Sequence, residues 1–195
     1  MYQIVLSVIA MKILLRISVT ILSVFIIHSC KNYEDDIIKD VDGNIYTSVT
    51  IGTQVWMVEN LKTTKYNYGT AISLVTDNTA WNNLKTSGYC WQNNDIANKI
   101  TYGALYNWYA VNTDKLCPTG WHVPSNTEWT TLTANLGGET ISGGKLKEAG
   151  TIHWDSPNTG ATNESKFTAL PGGYRPGGNF ISIGTAGYWW SSTES

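Results

Sequence analysis

Leu116–Leu136 reads LCPTGWHVPSNTEWTTLTANL, and its chemistry decides the fold. Ser125 follows Pro124, and Glu128 stands three residues further on. That is a capping box: the Ser125 hydroxyl accepts the Glu128 backbone N–H, and the Glu128 carboxylate reaches back to the Ser125 N–H. Trp129, Leu132 and Leu136 then recur at three- and four-residue steps, so they share one helical face. Gly137–Gly138 supplies the stop. On the amino-terminal side, Cys117-Pro118-Thr119-Gly120-Trp121 is a rigid turn. The stretch predicts a short helix pinned at both ends and anchored by large aromatics.

Around this helix the composition sets bounds. A chain of 195 residues is one domain plus a targeting signal. Charged residues make up 14%, against about a quarter in an average soluble protein, so Asn, Thr, Ser and Gly must supply the polar surface. Nine Trp and eleven Tyr give an aromatic interior or binding face. A net charge of −2 without a basic stripe argues against a nucleic-acid partner. Histidines stand at His28, His122 and His153, and cysteines at Cys30, Cys90 and Cys117. None of their spacings is that of a zinc site, and no cofactor motif is present; neither a metal nor a cofactor is expected.

The amino terminus reads as an address. Met11-Lys12-Ile13-Leu14-Leu15-Arg16 is a short basic region, and Ile17–Ile27 is an apolar core too short for a comfortable membrane span. Ser29 precedes Cys30. This resembles a bacterial lipoprotein signal, in which Cys30 becomes the lipidated first residue; a plain signal peptide or an uncleaved anchor is the alternative. Met11 is the better start, which would leave the preceding MYQIVLSVIA upstream of the protein. The expected division is a signal over 1–29, an acidic tether over 30–39 and a domain over 40–195. The tether, Lys31-Asn32-Tyr33-Glu34-Asp35-Asp36, resembles signals that carry some Bacteroidetes-type lipoproteins to the cell surface. The expected location is the outer membrane, facing the periplasm or the exterior, with a lipid anchor as the membrane contact.

Within the domain, Asp40-Val41-Asp42-Gly43-Asn44 lacks the later ligands of a calcium loop and reads as a tight turn. Ile45, Thr47, Val49 and Ile51 alternate with Tyr46, Ser48 and Thr50, and a Gly52-Thr53 turn leads to a second strand, Gln54–Val58, making a hairpin. Residues 62–100 read as ordered loop with short strands. In Tyr102–Val111, YGALYNWYAV, Tyr102, Leu105, Tyr106 and Tyr109 fall at helical steps, which predicts a second helix. Gly143–Gly150 is a helical turn or two. Phe167–Leu170, Phe180–Ile183 and a segment beginning at Gly187 are short strands.

Five ordered blocks carry a family resemblance: DVDGNIYTSVTIGTQVWMVENLKTTKY, YGALYNWYAV, CPTGWHVPSNTEWTTL, GGKLKEAGT and GYWWSST. Together they resemble the Fibrobacter succinogenes major paralogous domain, found in secreted proteins and lipoproteins. The WHVPS…EW helix and the YWWSS strand are also similar to C-type-lectin-like folds. That resemblance implies an α+β fold: two short helices against a small twisted antiparallel sheet, with long loops. It also implies further strands beyond Ser195, ending in a cysteine, and hence a truncated domain. Within the chain Cys90 can pair only with Cys117 once Cys30 is lipidated, whereas the family pattern offers Cys117 the later cysteine instead.

The family resemblance implies a fold more than an activity. A sugar site needs aromatic faces and planar polar groups, and two clusters hold both: Trp91 with Asn93, Asn94 and Asp95, and His153, Trp154, Asp155 and Asn158. The plainer reading makes these tryptophans core plugs and the asparagines turn caps. The expected function is a binding or adhesion module for carbohydrate or another extracellular polymer, with a surface-protein partner as the alternative. Lectin-like folds also include a formylglycine-generating enzyme type, but the cysteines fit a disulfide better, Glu128 is engaged in its capping box, and no catalytic residue is assigned.

Overall fold

The chain is α+β. A computed structural model describes residues 3, 7–9 and 37–194; the proposed lipidation site Cys30, the signal Met11–Ser29 and the acidic run through Asp36 lie outside the described residues. Ser7–Ile9 (β1), Ile38–Lys39 (β2), Ile45–Tyr46 (β3), Ser48–Ile51 (β4) and Gln54–Met57 (β5) come first. The turn between β2 and β3 is built by Asp40, whose carboxylate accepts the N–H groups of Asp42 and Asn44, each at 2.9 Å, and the Tyr46 hydroxyl at 2.6 Å. Gly43 takes the left-handed conformation there (φ 85°). The expected alternation from Ile45 to Ile51 fails at Thr47, which leaves the ladder. Its hydroxyl and N–H bind Glu59 instead. The faces therefore switch: Tyr46 is buried and Ile45 exposed, while Ile51 is buried as expected. β4 and β5 form the expected hairpin, with Ile51 opposite Gln54.

On its other side β5 pairs antiparallel with β1, Ser7 opposite Trp56, Val8 opposite Val55 and Ile9 opposite Gln54. The segment expected to lie upstream of the protein thus supplies an outer strand of the β1–β5–β4 sheet.

Ser73–Leu74 (β6), Asn78–Asn83 (α1), Gly88–Trp91 (β7), Lys99–Tyr102 (α2), Ala104–Tyr106 (β8) and Trp108–Val111 (α3) follow. The predicted single helix over Tyr102–Val111 is corrected here to helix, strand, helix. Gly103 turns the chain at φ 69°, where a Cβ would sit 2.7 Å from the Asn60 Cβ. Asn107 then caps α3 by accepting the Ala110 N–H at 3.0 Å. β8 pairs antiparallel with β7, which pairs in parallel with β6. The β7–β8 pair is buried on both faces. One face carries Tyr89, Trp91, Ala104 and Tyr106 into the main core; the other carries Cys90 and Leu105 to Trp81.

This sheet also corrects the expected Cys90–Cys117 disulfide. Both thiols are free and buried. Cys90 lies in the Trp81 cluster and Cys117 in the main core, so they belong to different apolar clusters. Burial pushes the Cys90 thiol up to about 11, the Arg175 guanidinium opposing, and raises Cys117 further.

Asn126–Asn135 (α4) carries the capping box as read: Ser125 Oγ accepts the Glu128 N–H at 3.3 Å, and the Glu128 carboxylate accepts the Ser125 N–H at 2.8 Å. Glu128 also meets His122 Nε2 at 2.7 Å. Trp129 packs on Trp56 with ring centres 4.9 Å apart, and Leu132 and Leu136 are buried. Glu139–Leu146 (α5), Gly172–Tyr174 (β9) and Ile181–Ile183 (β10) complete the elements, β9 and β10 pairing antiparallel. Phe167–Leu170 makes only a single bridge, Ala169 to Lys147, and Gly187 a single bridge to Gly173. Positive φ at Lys166 and Thr168 keeps the former from a continuous strand.

Candidate functional site

The fold treats the two sequence clusters differently. Trp91 is buried, edge-on to Tyr89 at 5.2 Å with the Lys99 ammonium 5.6 Å from its ring centre. Asn93 takes φ 55°, Asn94 Nδ2 donates to the Thr76 carbonyl at 2.8 Å, and Asp95 accepts the Ala97 N–H at 2.9 Å. Through Thr76 and the Asn94 Oδ1, which lies 3.5 Å from the guanidinium, this turn meets Arg175, which the sequence reading missed. Its guanidinium donates to the carbonyls of Gly178, Val75 and Thr76 and to Asn78 Oδ1, all within 2.8–2.9 Å. It lies 4.6 Å from the ring centres of both Trp81 and Phe180. No sequence motif marks this arginine, because its partners at Val75, Thr76 and Asn78 are remote in the chain and mostly backbone.

In the second cluster, Trp154 is a core plug whose indole N–H donates to the Ala169 carbonyl at 3.0 Å, with the Lys147 ammonium 5.0 Å from its ring centre. Asn158 staples the loop by donating to the carbonyls of Glu148 and Gly150, each at 2.8 Å. Asp155 holds the chain to Gly184 through its backbone N–H at 2.8 Å. Of the predicted residues, His153 lines a cavity.

That cavity is a cleft of about 270 Å³ between the end of β5, α2, the Phe167–Leu170 segment and Trp189. Each wall has a separate origin. Glu59 and Asn60 follow β5. Asn60 is fixed by donating to the Tyr102 carbonyl at 3.1 Å and accepting the Trp189 indole N–H at 2.9 Å. Phe167 meets the Trp189 ring edge-on at 6.2 Å, so the aromatic wall is rigid. Ile100 and Thr101 come from α2.

His153 Nδ1 lies 2.9 and 3.0 Å from the two Glu148 carboxylate oxygens, and the imidazole stands edge-on to Tyr102 at 6.1 Å. A carboxylate only accepts, so Nδ1 carries the proton that bonds it. Nε2 is then the ring nitrogen left for a ligand. The cleft can therefore offer a flat indole, an oriented imidazole and the Thr101 hydroxyl to one small polar molecule.

Two other hollows contrast with it. A groove of about 910 Å³ between β2–β3 and Pro118–Trp121 is walled by exposed Ile37 and Ile45, and its Thr47 hydroxyl is spent on Glu59. A cleft of about 340 Å³ lies among Trp108, Trp189 and Trp190, where the Trp190 indole is tied to the Tyr106 carbonyl. Among the described residues no group of three or more metal-ligating side chains converges, and no helix is long and apolar enough to cross a membrane.

The cleft walls at Glu59, Thr101, His153 and Trp189 all fall within residues 49–195, the span matched by the model of the Fibrobacter succinogenes major domain. The chain belongs to the Fibrobacter succinogenes major domain family. No curated protein and no solved structure matches it. In this Fibrobacter succinogenes major domain the capping box, the paired tryptophans of GYWWSST and the cleft all come from the family-matched span, whereas β1 lies outside it.

Proposed function

We propose that this domain is a lipid-anchored, extracytoplasmic module, lectin-like in architecture, that binds carbohydrate in the His153–Trp189 cleft without turning it over. The observation that carries the reading is the pairing of an aromatic wall with an imidazole whose tautomer is set by Glu148. A sugar ring presents C–H groups to an aromatic face and hydroxyls to fixed acceptors and donors. A volume of about 270 Å³ is at the lower end of small-molecule sites, about 300–1,000 Å³, and suits one ring or the end of a polymer. The anchor at Cys30 would place the cleft outside the cytoplasm, in the outer membrane, where such polymers are met.

The test is retention of the full-length protein on a panel of insoluble polysaccharides, with released reducing ends measured in the same tubes. Saturable retention that His153→Ala reduces at least tenfold, with no sugar released, is the expected outcome. Retention unaffected by His153→Ala would move the site elsewhere, and release of sugar would make the protein an enzyme.

A further inference from the structure

The outer edge of β5 has a construction that the carbohydrate reading does not use. In a hairpin closed by the two-residue Gly52-Thr53 loop, Ile51 and Gln54 exchange backbone hydrogen bonds, and the pattern alternates along the strand. The N–H and C=O of Val55 therefore point away from β4, toward Val8 of β1, its register partner. Trp56 and Met57 beside it are fully buried, whereas Val55 itself is half-buried. In the structure β1 takes up these backbone groups.

The covering segment is gripped again at Gln3. The Gln3 N–H donates to the Tyr188 carbonyl at 2.9 Å, and its carbonyl accepts the Trp190 N–H at 3.1 Å. Its side chain is fully buried, with Nε2 donating to the Tyr102 carbonyl. The carboxamide occupies a notch left by Gly172, where any Cβ would collide with it. Gln3 Oε1 nonetheless finds no hydrogen-bond partner, so the present occupant fits the notch incompletely.

We propose that β5 and the Tyr188–Trp190 segment form a strand-acceptor slot for an extended polypeptide bearing a carboxamide side chain at the Gly172 notch, and that the amino-terminal segment through Gln3 and Ser7–Ile9 is its built-in, exchangeable occupant. The slot recognises backbone along β5 and one side chain at the notch, as strand addition to a sheet edge does. Twenty-seven residues, 10 to 36, separate the occupant from Ile37. If the chain is processed before Cys30, as the proposed function supposes, the occupant leaves and the slot opens to a strand of a partner protein.

The probe is a fluorescent synthetic peptide, Tyr2–Ala10 with added terminal lysines, mixed with full-length protein. Val8→Pro in the protein removes the N–H that bonds Val55 and should loosen the occupant. The expected result is saturable binding to the Val8→Pro protein at least tenfold tighter than to the unsubstituted protein. The same peptide carrying the proline should bind at least tenfold more weakly. A folded Val8→Pro protein that ignores the peptide overturns the proposal. Should that variant not fold, amide exchange of the unsubstituted protein decides: Val55 protected like Trp56 supports an occupied slot, and Val55 exchanging as a free edge refutes it. Neither measurement involves sugar, so failure here leaves the cleft reading standing. Peptide binding without cleavage before Cys30 would remove only the processing step.

Discussion

Arg175 shows what a single side chain does in this fold. Its guanidinium, buried between Trp81 and Phe180, meets carbonyls and an amide oxygen in place of a carboxylate. Lysine cannot reproduce the planar fork that reaches Val75 and Thr76 together. Arg175→Lys should lower the urea unfolding free energy by about 2–4 kcal/mol, since it strands buried acceptors; a loss below about 0.5 kcal/mol would mean the fork is dispensable. Asp42 offers a pH-dependent counterpart. Burial raises its pKa, but the Thr64 N–H and hydroxyl and the Lys65 ammonium outweigh burial and hold the carboxyl at about 2, below its ordinary 3.8. A depressed folded value means the stabilisation is present above pH 3.8 and is lost as pH falls through 2. Unfolding measured from pH 5 to pH 2 should show on the order of 2 kcal/mol of pH dependence that Asp42→Asn abolishes. The Ser125–Glu128 pair was legible because its partners lie three residues apart; Arg175 was not, because its partners other than Gly178 lie about a hundred residues away.

At the scale of elements, Tyr102–Val111 explains why periodicity misleads. In YGALYNWYAV nearly every residue is apolar, so helical spacing and strand alternation are both satisfied. The strand Ala104–Tyr106 is buried on both faces, and no polar position remained to distinguish the two. The deciding residue is Gly103, whose positive φ no helix interior accepts. Gly103→Ala should destabilise the protein by about 2 kcal/mol or more, from the left-handed backbone together with the Asn60 and Leu61 contacts at 2.7 and 2.8 Å. If thermal unfolding of that variant is unchanged, the helix–strand break is placed wrongly. The central helix is the opposite case. Ser125→Ala should cost about 1 kcal/mol and lower the melting temperature without changing the near-ultraviolet signature of the Trp56–Trp129 pair. The capping box, the Trp129–Leu132–Leu136 face and the glycine stop were enough to read that helix.

Over the whole molecule, the buried β7–β8 sheet places Cys90 in one apolar cluster and Cys117 in another. Scarcity left Cys117 as the one partner for Cys90 within the chain, but it does not report on which side of a sheet a residue stands. Peptides containing Cys90 and Cys117 should take up iodoacetamide at pH 8 slowly in the native protein and promptly in urea, without any reductant, since burial holds the Cys90 thiol up at about 11. Labelling that requires a reductant would restore the disulfide. The family and the α+β class were readable from five ordered blocks, but the cleft was not. It is assembled from Glu59, Thr101, His153, Phe167 and Trp189, residues that only the fold brings together, and of these only His153 stood among the predicted binders. The most direct test of the account is a nitrogen-15 NMR titration of the full-length protein with soluble cello-, xylo- and manno-oligosaccharides. Binding in the cleft predicts saturable shifts at Asn60, Thr101, His153 and the Trp189 indole N–H, with Trp91–Asp95 unmoved. Shifts confined to Trp91–Asp95, or none in a folded spectrum, would contradict it.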